Sequence, residues 1–514
     1  MDSDLIGSTR MVAGALAAAA LLGLAACSAG SSTSPPEGTP PPSGEGSDEA
    51  LVLGLVAEPA SLDFTTEDGA AIPQALLVNL YEGLVKLDQD GEIVPALSTE
   101  WDVSDDGRTY TFELVDNAEF TSGEPMTATD VVFSIERVQT DWTTSLAAAM
   151  DVVESVEADS PTRVVVTLSA PSNDWLYRMT TRIGAIFSEA GVDDLASTPI
   201  GTGPYQLDAW NRGDSIVLTR NDDYWGDAPH FAEVTLRYFD DPTALNSALL
   251  SGGIDVITTV QAPEALPQFD GNDDLQIIEG TTNGEVVLSF NHRSAPFQDI
   301  RVRQAIRLAI DHQSLIDTCW AGRGELIGSM VPPTDPWYED LTALVPHDPN
   351  LAAQLLGEAE QTDLTLRLRV PTLPYAESCG QVVASQLEDV GITVALDTLE
   401  FPAQWLQQVF TDHDYDMSIV AHVEPRDVPA VFGNPEYYPG YDNAEVQDLL
   451  AEADAGTPDE QVTIMQEVAR VLSEDAASDW LFLLPNLIVA DADITGLPEN
   501  GIGEAFDLTL LARG

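Results

Sequence analysis

The hydrophobic rhythm of the chain changes at Asn291, and few architectures accept two rhythms in that order. Before Asn291, apolar residues mostly alternate over short runs. In 101–115 an Asp-Gly turn is followed by Tyr110, Phe112 and Leu114 at every second position, the pattern of a half-buried strand. "VVESVEA", "RVVVTLSA", "EVTLRYF" and "EVVLSFN" read the same way, and 51–63 reads as a strand running into a loop. Residues 70–88 predict a helix ending near Gly83 and then a strand, and 127–138 a helix opened by a Thr or Asp cap. After Asn291 the helices lengthen. Val302, Ala305, Ile306, Ala309 and Ile310 share one face of 299–311. Helices predicted over 348–360, 374–390, 443–453 and 457–475 enclose strands near 364–370, 392–399 and 415–421. No internal repeat is visible. Mixed α/β, a strand-rich insert and α/β again predict two lobes, and 514 residues suffice for two or more cores.

Charge excludes several functions. The chain carries 86 acidic residues against 20 basic ones, and Lys86 is its sole lysine. With no basic stripe to neutralise phosphates, this field repels nucleic acid and anionic lipid headgroups. A lysine Schiff base would have to use Lys86. At the N-terminus, Arg10 precedes "MVAGALAAAALLGLAA", shorter than the about 20 apolar residues of a membrane span. The ending "LAAC" reads as a lipobox in which Cys27 becomes the lipid-modified first residue of the mature chain; a plain secretory signal is the alternative. Asp2 and Asp4 are unusual in such a leader and leave the true start codon open. Residues 28–48 are rich in Ser, Pro and Gly, which bury no core and make a flexible tether. Lipid on Cys27 would then be the only membrane anchor, each buried methylene contributing roughly 0.8 kcal/mol. Cys319 and Cys379 remain, either as a disulfide formed outside the cytosol or as two buried thiols.

Motifs of chemistry are sparse. Residues 102–113 loosely match a calcium-binding loop, but the alternation after Gly107 predicts a hairpin where that loop needs helices. "GTGPYQ" (201–206) lacks the third glycine of a dinucleotide fingerprint and opens a strand, so its glycines make a turn. "GRGELIG" (322–328) lacks the Lys-Ser/Thr of a phosphate loop. His230, His292, His312, His347, His413 and His422 show no short metal-ligand spacing, and no GxSxG elbow exists. Neither a catalytic group nor a metal or other cofactor is expected.

Several segments together resemble one family. "YEGLV" (81–85), "PALSTEWDVSDDGRTYTFEL" (95–114), "TATDVVFSIERV", "GTGPYQLDAWNRGDSIVLTRNDDYWG" (201–226) and "FNHRSAPFQDIRVRQAIRLAIDHQSL" (290–315) occur in the order of the family 5 extracellular solute-binding proteins, the peptide, nickel and oligopeptide-binding lipoproteins of ABC importers. The resemblance spans roughly residues 50–490. It implies an α/β, two-lobed periplasmic-binding-protein-like fold of type II, cluster C, with an extra strand-rich subdomain in the first lobe. It places the first lobe in 49–84, 198–289 and 485–514, the subdomain in 85–197 and the second lobe in 290–484. Within it, 201–226 is scaffold, and Tyr224 and Trp225 are packing residues.

The resemblance also implies a function. Ligand is held between lobes that close by hinge motion, and peptide-binding members pair the peptide main chain with a strand. An acid following the strand of "YDMSIVAH" meets the ligand amine; here that is Glu424, with Asp427 second. Phe401 or Trp405 lines the pocket, and Asn291 bonds ligand or fixes the hinge. Residues 370–381 lack the arginine of dipeptide binders, and Arg426 is the substitute candidate for a ligand carboxylate. The expectation is a lipid-anchored, monomeric, extracytoplasmic protein without catalytic activity that delivers oligopeptides to ABC permease subunits. A chelated metal, haem or an oligosaccharide is the alternative cargo, and a secreted hydrolase the rival class.

Overall fold

The computed structural model describes residues 46–514 apart from residue 68; the leader, Cys27 and the tether up to residue 45 lie outside the described residues. A seven-stranded sheet runs in the order Leu275–Gly280, Asn486–Asp491, Val256–Ile257, Ala50–Leu55, Glu233–Tyr238, Ser215–Arg220, Tyr205–Asn211. Ala50–Leu55 lies parallel to Glu233–Tyr238, and Leu51, Leu53 and Leu55 alternate into the core beneath it. Beside it, Ser98–Val103, Thr109–Leu114, Arg163–Leu168 and Val153–Ser160 form an antiparallel sheet. The 102–113 stretch is therefore the expected hairpin, turning at Gly107, whose φ of +68° suits glycine. Helix Ala128–Asp141 covers this sheet. Its start is fixed by a capping box in which Thr127 and Asp130 exchange hydrogen bonds.

The chain leaves the first sheet after Gly280 and enters a five-stranded sheet at Glu285, five residues before the lobe boundary expected at 290. The order there is Thr393–Leu399, Thr365–Pro371, Met417–His422, Glu285–Phe290, Ser478–Leu483. Helices sandwich this sheet. Val286, Leu288 and Phe290 pack with Ile300–Ala309, His312–Cys319 and Pro374–Asp389, while Val287 packs with Ala444–Ala455 and Pro458–Glu474 on the other face. Cys319 and Cys379 are joined as a disulfide that ties two helices of the first group together. Among the described residues no helix is long and apolar enough to cross a membrane.

The helix expected to reach Gly83 stops at Leu76. Asn79 explains it. Its amide donates to the carbonyls of Ala75 and Phe506 and accepts from Leu508 N, so the end of the chain captures a segment that local periodicity would have kept helical. Residues 201–226 pack against the same place. A Cβ on Gly201 or Gly203 would fall on the carbonyls of Leu80 or Asn79, so these glycines supply room for a close backbone approach. Glu82 then accepts from Thr202 Oγ1 at 2.9 Å, Tyr224 Oη at 2.8 Å and Trp225 Nε1 at 2.9 Å.

Candidate ligand cleft

Strand Met417–His422 ends in a loop, 423–427, that two elements from elsewhere hold in place. Helix Asn173–Arg178 is the first. Arg178 donates to the carbonyls of Pro425 and Arg426, and Asn173 to those of Ala453 and Gly456. Asp454 accepts from Ser172 Oγ and Asp174 N. The segment around Arg182 is the second. Arg182 Nη2 lies 2.6 Å from Glu504 Oε1 and 3.6 Å from Glu424 Oε1. Arg182 and Glu504 are buried, whereas Glu424 keeps 39% of its side chain exposed. Chain that follows the four-stranded sheet thus meets, at this loop, the end of a strand of the five-stranded sheet.

Behind the loop runs a buried polar chain. Ser289 Oγ lies 2.6 Å from Tyr438 Oη, Tyr438 Oη 2.9 Å from His422 Nε2, and His422 Nδ1 2.9 Å from Asp427 Oδ2. Glu285 pairs with His422 across the strands and lies in the field of Asp427 and Asp335. It is 3% exposed, and its Oε2 has no hydrogen-bond partner. Burial and the nearby Asp427 hold its carboxyl well above the usual range. Burial pushes Asp335 up to about 6 against the pull of Arg426, and pushes Glu424 up against the pull of Arg182. An aromatic wall stands alongside: Trp405 meets Phe401, Phe410 and Tyr438 at ring-centroid distances of 6.1, 6.4 and 5.7 Å, and Tyr437 meets Phe410 at 5.1 Å.

The expected site residues divide. Glu424 and Asp427 lie on the loop, the first half-buried, the second buried and committed to His422. Trp405 is buried and donates to Ser418 Oγ, and Phe401 is 37% exposed at the outer end of the aromatic wall. Asn291 has its side-chain hydrogen-bonding groups engaged within the protein. Both its N–H groups bind the carbonyls of His413 and Tyr415, and its oxygen accepts from Arg293 N, so it fixes the base of a loop. Arg426 is also occupied. Its guanidinium lies 3.6 Å from the Tyr177 ring centroid and 4.8 Å from that of Trp337, and it approaches Asp335 at 3.5 Å. A ligand carboxylate would have to compete with that setting. Glu285, Tyr438, Arg182 and Glu504 were not anticipated. Each sits in an unremarkable strand, loop or turn, and no local pattern marks them. Among the described residues no group of three or more His, Cys, Asp or Glu side chains could hold a metal ion.

With this geometry in hand, known proteins are informative. A family model described as bacterial extracellular solute-binding proteins, family 5 middle, matches residues 92–443. The probable D,D-dipeptide-binding periplasmic protein DdpA of Escherichia coli (strain K12) is 27% identical over 497 residues, covering 90% of this chain and 94% of its own. The periplasmic binding protein DppA of Helicobacter pylori, solved with the peptide STSA, superposes with a TM-score of 0.80 at 22% identity, over 90% of this chain and 98% of that one. NikA of Staphylococcus aureus, solved with Ni(L-His)2, superposes with a TM-score of 0.76 at 20% identity, over 90% and 100%. These likenesses show a two-lobed periplasmic-binding-protein fold of mixed helix and sheet. Proteins of that fold carry unlike cargoes, so the cargo has to be argued from the cleft.

Proposed function

The chain belongs to the bacterial extracellular solute-binding proteins of family 5, and from that we propose that it captures oligopeptides outside the cytoplasm for an ABC importer. One observation carries the peptide reading. Glu424 is a half-buried carboxylate on the loop where chain after the four-stranded sheet meets the five-stranded sheet, and Arg182, which approaches it, makes its short bond to Glu504 instead. A peptide amine entering there finds an acid with capacity left, beside aromatic rings suited to side chains of many kinds. The relatives named as dipeptide and peptide binders point the same way. Closure of the two lobes on the peptide, with bounds near 49–84, 198–289 and 485–514 for the first and 290–484 for the second, buries the charged pair and strengthens it. Cys27 carries the lipid that holds a monomeric body to the outer face of the membrane, where permease subunits receive the cargo.

Calorimetry tests the reading. Glu424→Gln keeps the shape and removes the charge, so affinity for a free-amine peptide should fall by roughly 1.5–3 kcal/mol, about ten- to hundredfold. N-acetylated peptide should bind the wild type poorly and lose far less on mutation. Equal wild-type and Glu424→Gln affinities for the free amine would end the assignment, with Asp427→Asn as the control for the second acid. For the anchor, Cys27→Ser should appear in the medium or as uncleaved precursor; processed mutant still on the membrane would refute it.

A further inference from the structure

Glu285 has a problem that the rest of the cleft does not solve. It opens strand Glu285–Phe290, directly after the crossover from the first sheet, and alternation sends it to the same face as Val287 and Ser289. On that side it lies in the field of Asp427 and Asp335, and among the described residues the cations nearby are already engaged. Arg426 is taken by Asp335 and two aromatic rings, Arg178 by Asp174 at 2.8 Å, and Arg182 by Glu504. His422, its cross-strand neighbour, has both ring nitrogens engaged, by Asp427 and Tyr438. A buried carboxylate oxygen with no partner is rare enough in folded proteins to require a reason.

We propose that Glu285, with Asp427 and Asp335 beside it, is a second cation-recognition point in the cleft, which takes a guanidinium or ammonium group of the ligand in addition to the terminal amine. This rests on the reading that the cargo is a peptide, and it narrows that cargo to basic peptides. A cation there pairs with Glu285 and stabilises the ionised form that burial and the nearby Asp427 disfavour. A neutral side chain in the same place leaves the carboxylate buried and unsatisfied, so discrimination comes from the penalty as much as from the bond. Access requires the two halves to part, and Glu285 lies next to the segment that joins the sheets.

The experiment uses matched ligands. Tetrapeptide pools carrying one arginine, scanned through the positions, are compared with pools in which citrulline, neutral and nearly isosteric, replaces it; agmatine serves as a cation without a peptide chain. Binding is measured by calorimetry on wild type and Glu285→Gln, both freed of retained ligand and checked for cooperative melting. The proposal expects at least tenfold tighter binding of an arginine pool than its citrulline counterpart, and loss of that preference in Glu285→Gln. Equal binding of arginine and citrulline pools overturns the proposal while leaving the peptide reading intact. If neither pool binds but agmatine binds wild type and not Glu285→Gln, the cation point stands and the peptide reading falls. A preference for arginine that survives in Glu285→Gln, or no binding of any probe, overturns it. Because the arginine–citrulline contrast is read on wild type, it stands even if the variant folds poorly.

Discussion

Glu82 and Glu285 are both carboxylates removed from water, at 6% and 3% exposure, yet they meet opposite surroundings. Glu82 receives three hydrogen bonds from Thr202, Tyr224 and Trp225, which tie residues 201–226 to the segment that follows helix Ala71–Leu76. Glu285 has an oxygen with none, and its charged neighbours are acids. The first arrangement is complete without a ligand and serves the fold. The second has an unpartnered oxygen, which on the proposal above an incoming cation would engage, and it lies where the chain passes from one sheet to the other. On that proposal, satisfaction of the buried acid, rather than burial itself, is what separates scaffold from site.

The largest effect is expected at a satisfied buried charge. Arg182→Met should cost about 3–5 kcal/mol in denaturant unfolding, because it leaves Glu504 buried without its partner. A loss under 1 kcal/mol would mean that satisfying a buried charge matters little here. A smaller effect comes from pH. Burial raises Glu82 from 4.5 to about 7, so the folded state binds the proton more tightly than the unfolded one. Stability should therefore fall as pH rises from 4.5 to about 7, by roughly 3 kcal/mol, and change no further above it on this account. Asp335, raised to about 6, adds a slope of the same sign, but it is present in both proteins when wild type is compared with Glu82→Gln. The difference between the two pH profiles isolates Glu82, and parallel profiles would remove the claim. The smallest effect sharpens the contrast from the solvated side. Thr127→Ala removes the side chain of a helix cap and should lower stability by about 1 kcal/mol, measurable as a shift in denaturation midpoint.

Much of the fold was legible in the chain. Helix 374–390 and strand 364–370 were expected and appear as Pro374–Asp389 and Thr365–Pro371, because apolar spacing and the burial it serves agree there. The 102–113 hairpin was legible for the same reason. The helix expected from residue 70 to near Gly83 failed because Asn79 is held by Phe506 and Leu508 at the far end of the sequence, which no local window contains. Site legibility followed the same rule. Glu424 and Asp427 were singled out through a resemblance in motif order, and the structure puts both on the loop 423–427. Glu285 was not singled out, since "GEVVLSFN" reads only as a strand and its significance comes from Asp335 and Asp427, brought near by the topology. Arg426 was expected to be available to ligand and is instead packed on Tyr177, a contact between distant segments.

Equilibrium unfolding of Glu82→Leu and Glu285→Leu, in protein freed of retained ligand, decides whether the two buried acids differ in role. Leucine is apolar, one atom shorter than glutamate along the side chain, and cannot accept a hydrogen bond, so the two variants pose one question to two sites. Glu82→Leu strands three donors, each costing roughly 1–3 kcal/mol, and should lose about 3–6 kcal/mol. Glu285→Leu strands none and removes a carboxyl that burial disfavours, so its unfolding free energy should match or exceed that of wild type while binding of arginine peptides disappears. If instead Glu285→Leu loses as much as Glu82→Leu, Glu285 belongs to the scaffold and the account is contradicted.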